Sequence, residues 1–377
     1  MIPYNKVCSL EDFDDPAISD LIREIFFYEI GAFPQGYPNG VADSKQWEIA
    51  MSVRTLRDTG LLNRSSKILG VGAGTEVTSF YLTRHVEQVF ATDIYAASKQ
   101  WVDVAPLGFL ANPALFSPYE FDQSRLVPLH MDARVLRFPD KFFDGIYSSG
   151  SIEHFGSLEY VANAAYEIGR VLKPGGVATI ATEFKLAGPP GSDGWDPNVI
   201  LFTNEKLEKY IIEASGLEPI DELDTSISDA TLKVRRDLVP FLRGTSGEFS
   251  AEKKIAHYPN LVLYHEGYLF CSVHVALKKS DRYPAKDNGW AAPSESTREL
   301  VAKTFSPSEA VPGADLLKLM AETSTSASGG LDPHVSKLVQ EQEQFIDRLR
   351  SEISYRDHLI KEQEELITKL RELVQGR

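Results

Sequence analysis

Short apolar runs alternate with amphipathic segments over residues 45–280. Lys67–Val71 and Gln88–Thr92 are apolar runs of strand length, whereas Leu158–Leu172 repeats apolar residues at helical spacing. Further strand-like runs are Arg125–His130, Phe143–Ser148, Val177–Glu183 and Tyr268–Lys278. Strands that alternate with helices indicate a mostly parallel sheet with helices on both faces. The pattern therefore predicts an α/β domain.

Composition divides the chain of 377 residues into four parts. Residues 1–44 form an N-terminal helical segment with many aromatic residues, and residues 45–280 form the α/β domain. Residues 281–332 are rich in Ser, Thr, Ala, Pro and Gly, which is typical of a flexible linker. Residues 333–377 follow a helical pattern.

The C-terminal part carries an apolar residue at every seventh position. The series is Val339, Ile346, Ile353, Ile360, Ile367 and Val374. Such a repeat is typical of a helix that supercoils around another helix. A second apolar series lies beside the first, so the interface is broader than a simple two-stranded zipper. We therefore expect a coiled coil over residues 338–374 that forms a homo-oligomer, with the number of strands left open.

Charge and cysteine content narrow the classes of partner. The formal net charge of −15 argues against nucleic acid and against an anionic membrane surface, which both attract basic proteins. Cys8 and Cys271 are far apart and form no CxxC motif, so we expect two buried thiols in a reducing compartment. The sequence contains no signal peptide and no apolar run of membrane-spanning length, which predicts a cytoplasmic protein.

A glycine-rich segment follows the first predicted strand. Ile68–Glu76 reads ILGVGAGTE and leads into a predicted helix. Glycine permits a tight turn and lets a ligand approach the backbone. Asp93 ends the next strand, about 20 residues on, where a carboxylate can bind both hydroxyls of a ribose. The dinucleotide fingerprint requires a third glycine where Val77 stands, so a nicotinamide or flavin cofactor is disfavoured.

With these motifs, residues 45–280 resemble class I, Rossmann-like methyltransferases that depend on S-adenosylmethionine (SAM). The resemblance implies a mostly parallel sheet of seven strands with helices on both faces. It also implies SAM as the cofactor, with Gly72 and Gly74 in the loop around its methionine part. The segment Glu167–Gly176 is similar to the helix and turn before the family's fifth strand.

The resemblance also assigns the other end of the cofactor. Asp93 matches the acidic residue that binds the ribose, and Ile94 is expected to lie against the adenine. Asp132 and Ala133 match the acidic-small pair that contacts the adenine edge. Ser149, at the end of the fourth strand, is expected to contact the cofactor as well.

The chain departs from the family pattern at two positions of the glycine loop. Gly70 stands where the family usually has Asp or Glu, and Glu76 stands where it usually has glycine. We expect the Gly70 backbone to remain part of the cofactor site and Glu76 to supply the missing carboxylate. The alternative is that Glu76 only complements the dipole of the helix that follows.

Glu153 and His154 lie just past the end of the fourth predicted strand, where α/β sheets build their active sites. Histidine titrates near neutral pH, which suits a general base that removes a proton from a hydroxyl. We predict His154 as the base, with Glu153 orienting it or contacting the cofactor. The alternative is that His154 packs under the neighbouring helix.

Two segments are candidate walls of the acceptor site. In the Gly- and Pro-rich loop after the fifth strand, Trp195 offers a ring on which a sugar could stack, and Asp193 and Asp196 could bind its hydroxyls. Trp195 could equally anchor the loop. The carboxylates lack the tight spacing of a metal site, so we expect no metal. The aromatic segment Phe26–Glu48 could cover the cofactor as a lid or pack on the sheet.

The leading hypothesis is an O-methyltransferase for a sugar hydroxyl of a bacterial cell-surface polysaccharide or its precursor. It rests on resemblance to methyltransferases found with polysaccharide assembly enzymes, some of which use a coiled coil to position the catalytic domain. A glycan-assembly protein is therefore a possible second partner. Two alternatives stay open, namely a methyltransferase for a small metabolite or quinone, and a non-catalytic scaffold.

Overall fold

The computed structural model describes residues 2–32, 42–95, 104–196, 198–238 and 258–283. The predicted coiled coil and nearly all of the predicted linker lie outside these residues, as does the middle of the aromatic segment.

Within the described residues, ten strands form one sheet. They are β1 Lys6–Val7, β2 Lys67–Val71, β3 Gln88–Asp93, β4 Leu126–His130, β5 Phe143–Ser149, β6 Leu172–Ala187, β7 Glu218–Pro219, β8 Arg236–Asp237, β9 Val262–His265 and β10 Tyr268–Lys278. The strands lie in the order β4-β3-β2-β5-β6-β10-β9-β8, with β1 and β7 also paired to β10.

Seven helices accompany the sheet in the same residues. They are α1 Pro16–Ile25, α2 Ser44–Asp58, α3 Val77–Thr83, α4 Gly108–Ala111, α5 Leu158–Val171, α6 Asn204–Leu207 and α7 Asp229–Lys233. Short 3-10 segments include Ile152–His154, and a π-helical turn, Glu208–Glu213, continues α6. The predicted α/β class is therefore confirmed.

The central strands pair in parallel, whereas β10 runs antiparallel to both of its neighbours in the strand order, β6 and β9. Strands β2 to β6 form the parallel pairs. The resemblance implied seven strands, whereas the described residues form ten, of which seven have four or more residues. The other three are two-residue strands, β1, β7 and β8.

The topology fixes where a ligand can bind. From β2 the chain crosses to β3 on one side, and β5 lies on the other side of β2. Strand order thus reverses between β2 and β5. In open α/β sheets, ligands bind outside the carboxyl ends of the strands at such a switch point. The glycine segment after β2 and the segment after β5 both lie at this edge of the sheet.

Helix α2 covers the sheet beside this switch point. The Asp43 side chain caps it by accepting a hydrogen bond from the Gln46 N–H at 2.9 Å, and it also accepts one from the Asn260 side chain at 2.8 Å. Every residue of α2 from Gln46 to Leu56 is buried, including Glu48 and Arg54. Since a capped first turn is fixed in place, Lys45 on that turn has a defined position at the edge of the sheet.

One predicted element boundary was wrong. Strand β6 begins at Leu172, so the Lys173–Gly176 segment predicted as a turn is part of a strand that pairs Leu172 with Phe143. The error concerns the end of an element, where sequence patterns are least informative. Helix α6 is capped by Thr203, whose side chain accepts a hydrogen bond from the Lys206 N–H.

Both cysteines are buried free thiols. Burial raises the pKa of each thiol, which keeps both protonated and unreactive. None of the helices in the described ranges has the length and apolar character needed to cross a membrane.

Candidate active site

The turn after β2 requires glycine at two positions. Gly72 and Gly74 have φ values of 63° and 47°, in the left-handed region. A Cβ on Gly72 would overlap the Ser151 hydroxyl, and one on Gly74 would lie 2.6 Å from the Val104 carbonyl oxygen. The glycines therefore permit both the turn itself and close contacts with Ser151 and Val104 of the same chain.

Gly70 has no room for the acidic side chain that the resembling family carries there. A Cβ on Gly70 would lie 2.5 Å from the Tyr147 hydroxyl oxygen. That hydroxyl lies 2.6 Å from Ser79 Oγ on α3, so the Tyr147 ring is held in place. The departure at Gly70 is thus the consequence of a tyrosine from β5 that occupies the same space.

Asp93 lies beside the glycine turn at the end of β3. Its carboxylate accepts hydrogen bonds from the Gly74 N–H at 2.8 Å and the Ile94 N–H at 2.7 Å. Burial raises the pKa of Asp93, an effect that these two hydrogen bonds oppose. Two carboxylate oxygens can accept about four hydrogen bonds. Asp93 therefore fixes the turn and retains acceptor capacity for the two hydroxyls of a ribose.

Ile94 presents an apolar surface next to this carboxylate. Its side chain is 45 % exposed, which is high for a large apolar residue in a well-packed domain. An aromatic base lying on Ile94 would remove this surface from water. The carboxylate, the apolar side chain and the glycine turn together fit an adenosyl group.

Asp132 and Ala133 follow β4 and lie near Asp93, since the Met131 N–H donates to the Asp93 carbonyl at 2.9 Å. The Asp132 carboxylate accepts hydrogen bonds from Arg134, whose guanidinium lies 4.4 Å from the centre of the Tyr160 ring. Although burial alone would raise it, these bonds hold the pKa of Asp132 below its ordinary value. Asp132 is thus engaged with Arg134, and its contact with the adenine edge stays a prediction.

Glu76 faces the site rather than capping α3. It occupies the N-cap position, but its side chain accepts no capping hydrogen bond. Its Oε1 lies 3.5 Å from Lys45 Nζ, and the side chain is 19 % exposed. Burial raises the pKa of Glu76 to about 7. The role of Glu76 in the cofactor site and the helix-dipole alternative both stay predictions.

Sequence reasoning missed Lys45 and Glu48, which α2 brings to the site. Lys45 Nζ lies 2.7 Å from Glu48 Oε2 and 3.1 Å from the Ser149 carbonyl oxygen. Glu48 also accepts a hydrogen bond from Ser272 Oγ at 2.5 Å. No motif marks these residues. The available signal was a lysine and a glutamate three positions apart at the end of the aromatic segment Phe26–Glu48.

Ser149 reaches the site through its backbone. Its carbonyl accepts from Lys45, while its side-chain hydroxyl is buried and lacks a hydrogen-bond partner among the described residues. A contact of this hydroxyl with the cofactor stays a prediction.

The short helix after β5 carries Glu153 and His154. Glu153 is buried, and its Oε2 accepts a hydrogen bond from Thr182 Oγ1 at 2.8 Å. His154 Nδ1 lies 3.0 Å from the Asn198 carbonyl oxygen. Since a carbonyl only accepts, the neutral ring carries its proton on Nδ1 and its basic lone pair on Nε2.

Glu153 does not hold the His154 ring through a hydrogen bond. His154 Nε2 and Glu153 Oε1 are 3.8 Å apart, beyond hydrogen-bond range. Two roles were predicted for Glu153. The first of them, orientation of the His154 ring, is carried out by the Asn198 carbonyl instead. The Asn198 backbone was not singled out because a carbonyl leaves no signal in the sequence.

Glu183, in the second half of β6, completes a group of acidic side chains around Lys45. Burial, together with the charges of Glu153 and Glu48, raises the pKa of Glu183 well above its ordinary value. The described residues contain no cluster of three or more His, Cys, Asp or Glu side chains that could hold a metal ion.

The loop after β6 lies against the segment that carries Glu153 and His154. The Ile200 N–H donates to the Glu153 carbonyl at 2.9 Å. The Trp195 ring packs against Phe270 at 5.0 Å and against His265 at 5.1 Å, so these contacts anchor the loop. Asp193 forms an ion pair with Lys206. Sugar binding by Trp195 and Asp193 stays a prediction.

Comparison with known proteins agrees with this geometry. Residues 69–180 match a family model described as a methyltransferase domain. No curated protein sequence gives a significant match.

Several crystal structures are similar to the chain at low sequence identity. YcgJ from Bacillus subtilis has 18% identity, covers 61% of this chain with 98% of its own length, and gives a TM-score of 0.38. The [4+2]-cyclase SpnF has 19% identity to this chain. The match covers 73% of this chain and 99% of SpnF, with a TM-score of 0.43. Geranyl diphosphate C-methyltransferase from Streptomyces coelicolor has 14% identity to this chain. The match covers 74% of this chain and 91% of that enzyme, with a TM-score of 0.40.

Proposed function

We propose that this chain, a methyltransferase that uses SAM as its cofactor, methylates a sugar hydroxyl of a bacterial cell-surface polysaccharide or its precursor. The observation that carries the hydroxyl chemistry is His154, whose Nδ1 is paired with the Asn198 carbonyl so that Nε2 is the basic atom. The glycan as acceptor is supported by the resemblance described above and by the polar loop beside His154.

The residues around the glycine turn fit the cofactor. Asp93 would hold the ribose, Ile94 would lie against the adenine, and the backbone of Gly72–Gly74 would follow the methionine part. When bound, SAM supplies a methyl group on a sulfonium, which an oxygen nucleophile can attack.

The chain's own contribution is alignment and proton removal. A neutral hydroxyl is a weak nucleophile, and removal of its proton by a positioned base typically contributes 10²- to 10⁴-fold to the rate. His154 Nε2 would accept that proton, while Asn198 keeps the ring in the required tautomer.

The acceptor experiment uses SAM with a labelled methyl group. The purified protein is incubated with polysaccharide, lipid-quinone and small-metabolite fractions of bacterial extract, and label is counted in each. We expect label in the polysaccharide fraction or its sugar precursors. Label confined to the quinone or small-metabolite fraction would contradict the proposed acceptor but not the methyltransferase activity.

We also propose that residues 338–374 assemble the chain into a homo-oligomer. A chain shortened to residues 1–332 is expected to be monomeric in light scattering, whereas the full chain forms a discrete oligomer. Substitution of Ile346, Ile353 and Ile360 by Asn is the matched control, because it removes the apolar seam and keeps the length. A full chain that has the mass of a monomer would refute the predicted assembly.

A further inference from the structure

The amino-acid end of SAM carries an ammonium and a carboxylate. The turn at Gly70 cannot supply an acidic side chain for the ammonium, because the Tyr147 hydroxyl fills that space. A different part of the chain must therefore recognise these charges.

Lys45 and Glu76 are a pair of opposite charges next to the glycine turn. Glu76 comes two residues after Gly74, and Lys45 lies on the first turn of α2. Their charged atoms are 3.5 Å apart, and the side chains are 46 % and 19 % exposed. The pair is thus looser than a direct hydrogen-bonded ion pair, which spans about 2.7–2.9 Å, and both members are accessible.

The surrounding residues hold Lys45 in its charged form at this position. Burial alone would lower the pKa of Lys45, but the carboxylates of Glu48 and Glu76 raise it far above its ordinary value. Glu48 in turn is fixed by Ser272. Lys45 Nζ also lies against Gly150, where any side chain would collide with it. The ammonium therefore has a defined place between the ends of β2 and β5.

We propose that Glu76 and Lys45 together bind the amino-acid end of SAM, Glu76 through the cofactor's ammonium and Lys45 through its carboxylate. The two charges are complementary to those of a free amino acid, and they lie at the edge of the sheet to which the glycine turn belongs. This inference rests on SAM binding at Gly72–Gly74, as in the proposed function.

The proposal predicts a pH dependence of cofactor binding. Glu76, whose pKa burial raises to about 7, faces Lys45 and Glu48, with the Tyr147 hydroxyl nearby. Binding of an ammonium requires the carboxylate form. Between pH 7 and 5.5 the affinity for S-adenosylhomocysteine should therefore fall, by up to tenfold per pH unit, while the ligand's amino group stays protonated. In Glu76→Gln the same titration should be nearly flat, and a slope that survives in this variant would assign the titration to another group.

The deciding experiment compares two ligands by calorimetry at pH 7.5. S-Adenosylhomocysteine has the amino-acid end, whereas 5′-methylthioadenosine lacks it. Lys45→Met and Glu76→Gln are each expected to weaken binding of the first compound by about 10- to 100-fold, the usual effect of losing a charge-assisted hydrogen bond. Binding of 5′-methylthioadenosine should change by less than about twofold.

A matched control pair lies at the opposite, amino-terminal ends of the strands. Lys67 and Glu87 are 3.7 Å apart at the starts of β2 and β3, and Lys67→Met and Glu87→Gln should leave both affinities unchanged. The proposal is overturned if Lys45→Met and Glu76→Gln weaken the binding of both compounds equally, or if they weaken the binding of neither compound. Wild-type protein that binds neither compound would instead refute the cofactor site itself, and this inference with it.

Discussion

Replacement of His154 by Ala is expected to lower methyl transfer by about 10²- to 10⁴-fold and to change the affinity for SAM by less than about twofold. The range is that of a lost general base. Cofactor affinity should survive because the residues expected to hold the adenosyl group, Asp93 and Ile94, lie at the end of β3, whereas His154 lies past β5 and contacts the loop after β6. The rate of methyl transfer is measured as label incorporated into the fraction that the wild-type protein methylates. The affinity for SAM is measured by calorimetry.

His85→Ala is the matched control for this variant. His85 lies just after α3, where its ring packs on Tyr81 at 4.7 Å, and it takes no part in the proposed site. The control should keep its transfer rate. If His154→Ala transfers methyl groups within about threefold of the wild-type rate, the histidine only packs against the loop and the proposed base is wrong.

The second large effect is expected at Asp93. Asp93→Ala should weaken SAM binding by about 10²- to 10³-fold, since the carboxylate is expected to bind the ribose and also fixes the turn through Gly74 and Ile94. Each hydrogen bond to a charged group contributes about 1.5–3 kcal/mol. Asp93→Asn should lose less, because the amide oxygen still accepts one of these bonds.

Thermal unfolding separates the binding defect from a folding defect. Asp122→Ala is the matched control, because Asp122 likewise accepts a backbone N–H, that of Ser124, but in an exposed turn before β4. It should keep its affinity for SAM. Asp93→Ala that stays folded and binds SAM with wild-type affinity would remove Asp93 from the cofactor site.

The sequence predicted those parts of the fold and site that depend on local patterns. Strands β2 and β10 have the predicted bounds, because buried apolar runs between turn residues leave little choice of structure. The turn at Gly72–Gly74 and the place of Asp93 beside it were likewise predicted. Both follow from one strand-turn-helix unit and the strand after it.

Contacts between distant segments could not be predicted. Lys45 and Glu48 reach the site because α2 packs against β5, β6 and β10, and no motif in their own segment marks those contacts. The collision of Tyr147 with the Gly70 position joins residues 77 positions apart in the sequence. The contacts of Trp195 with Phe270 depend in the same way on the return of β10 beside β6.

The central claim is that the glycine turn and Asp93 hold the adenosyl part of SAM. A crystal structure of the protein grown with S-adenosylhomocysteine tests it most directly. We expect both ribose hydroxyls within hydrogen-bond distance of the Asp93 carboxylate and the adenine ring lying on Ile94. Density for the compound at any other place, with the space beside Asp93 filled by protein, would contradict the account.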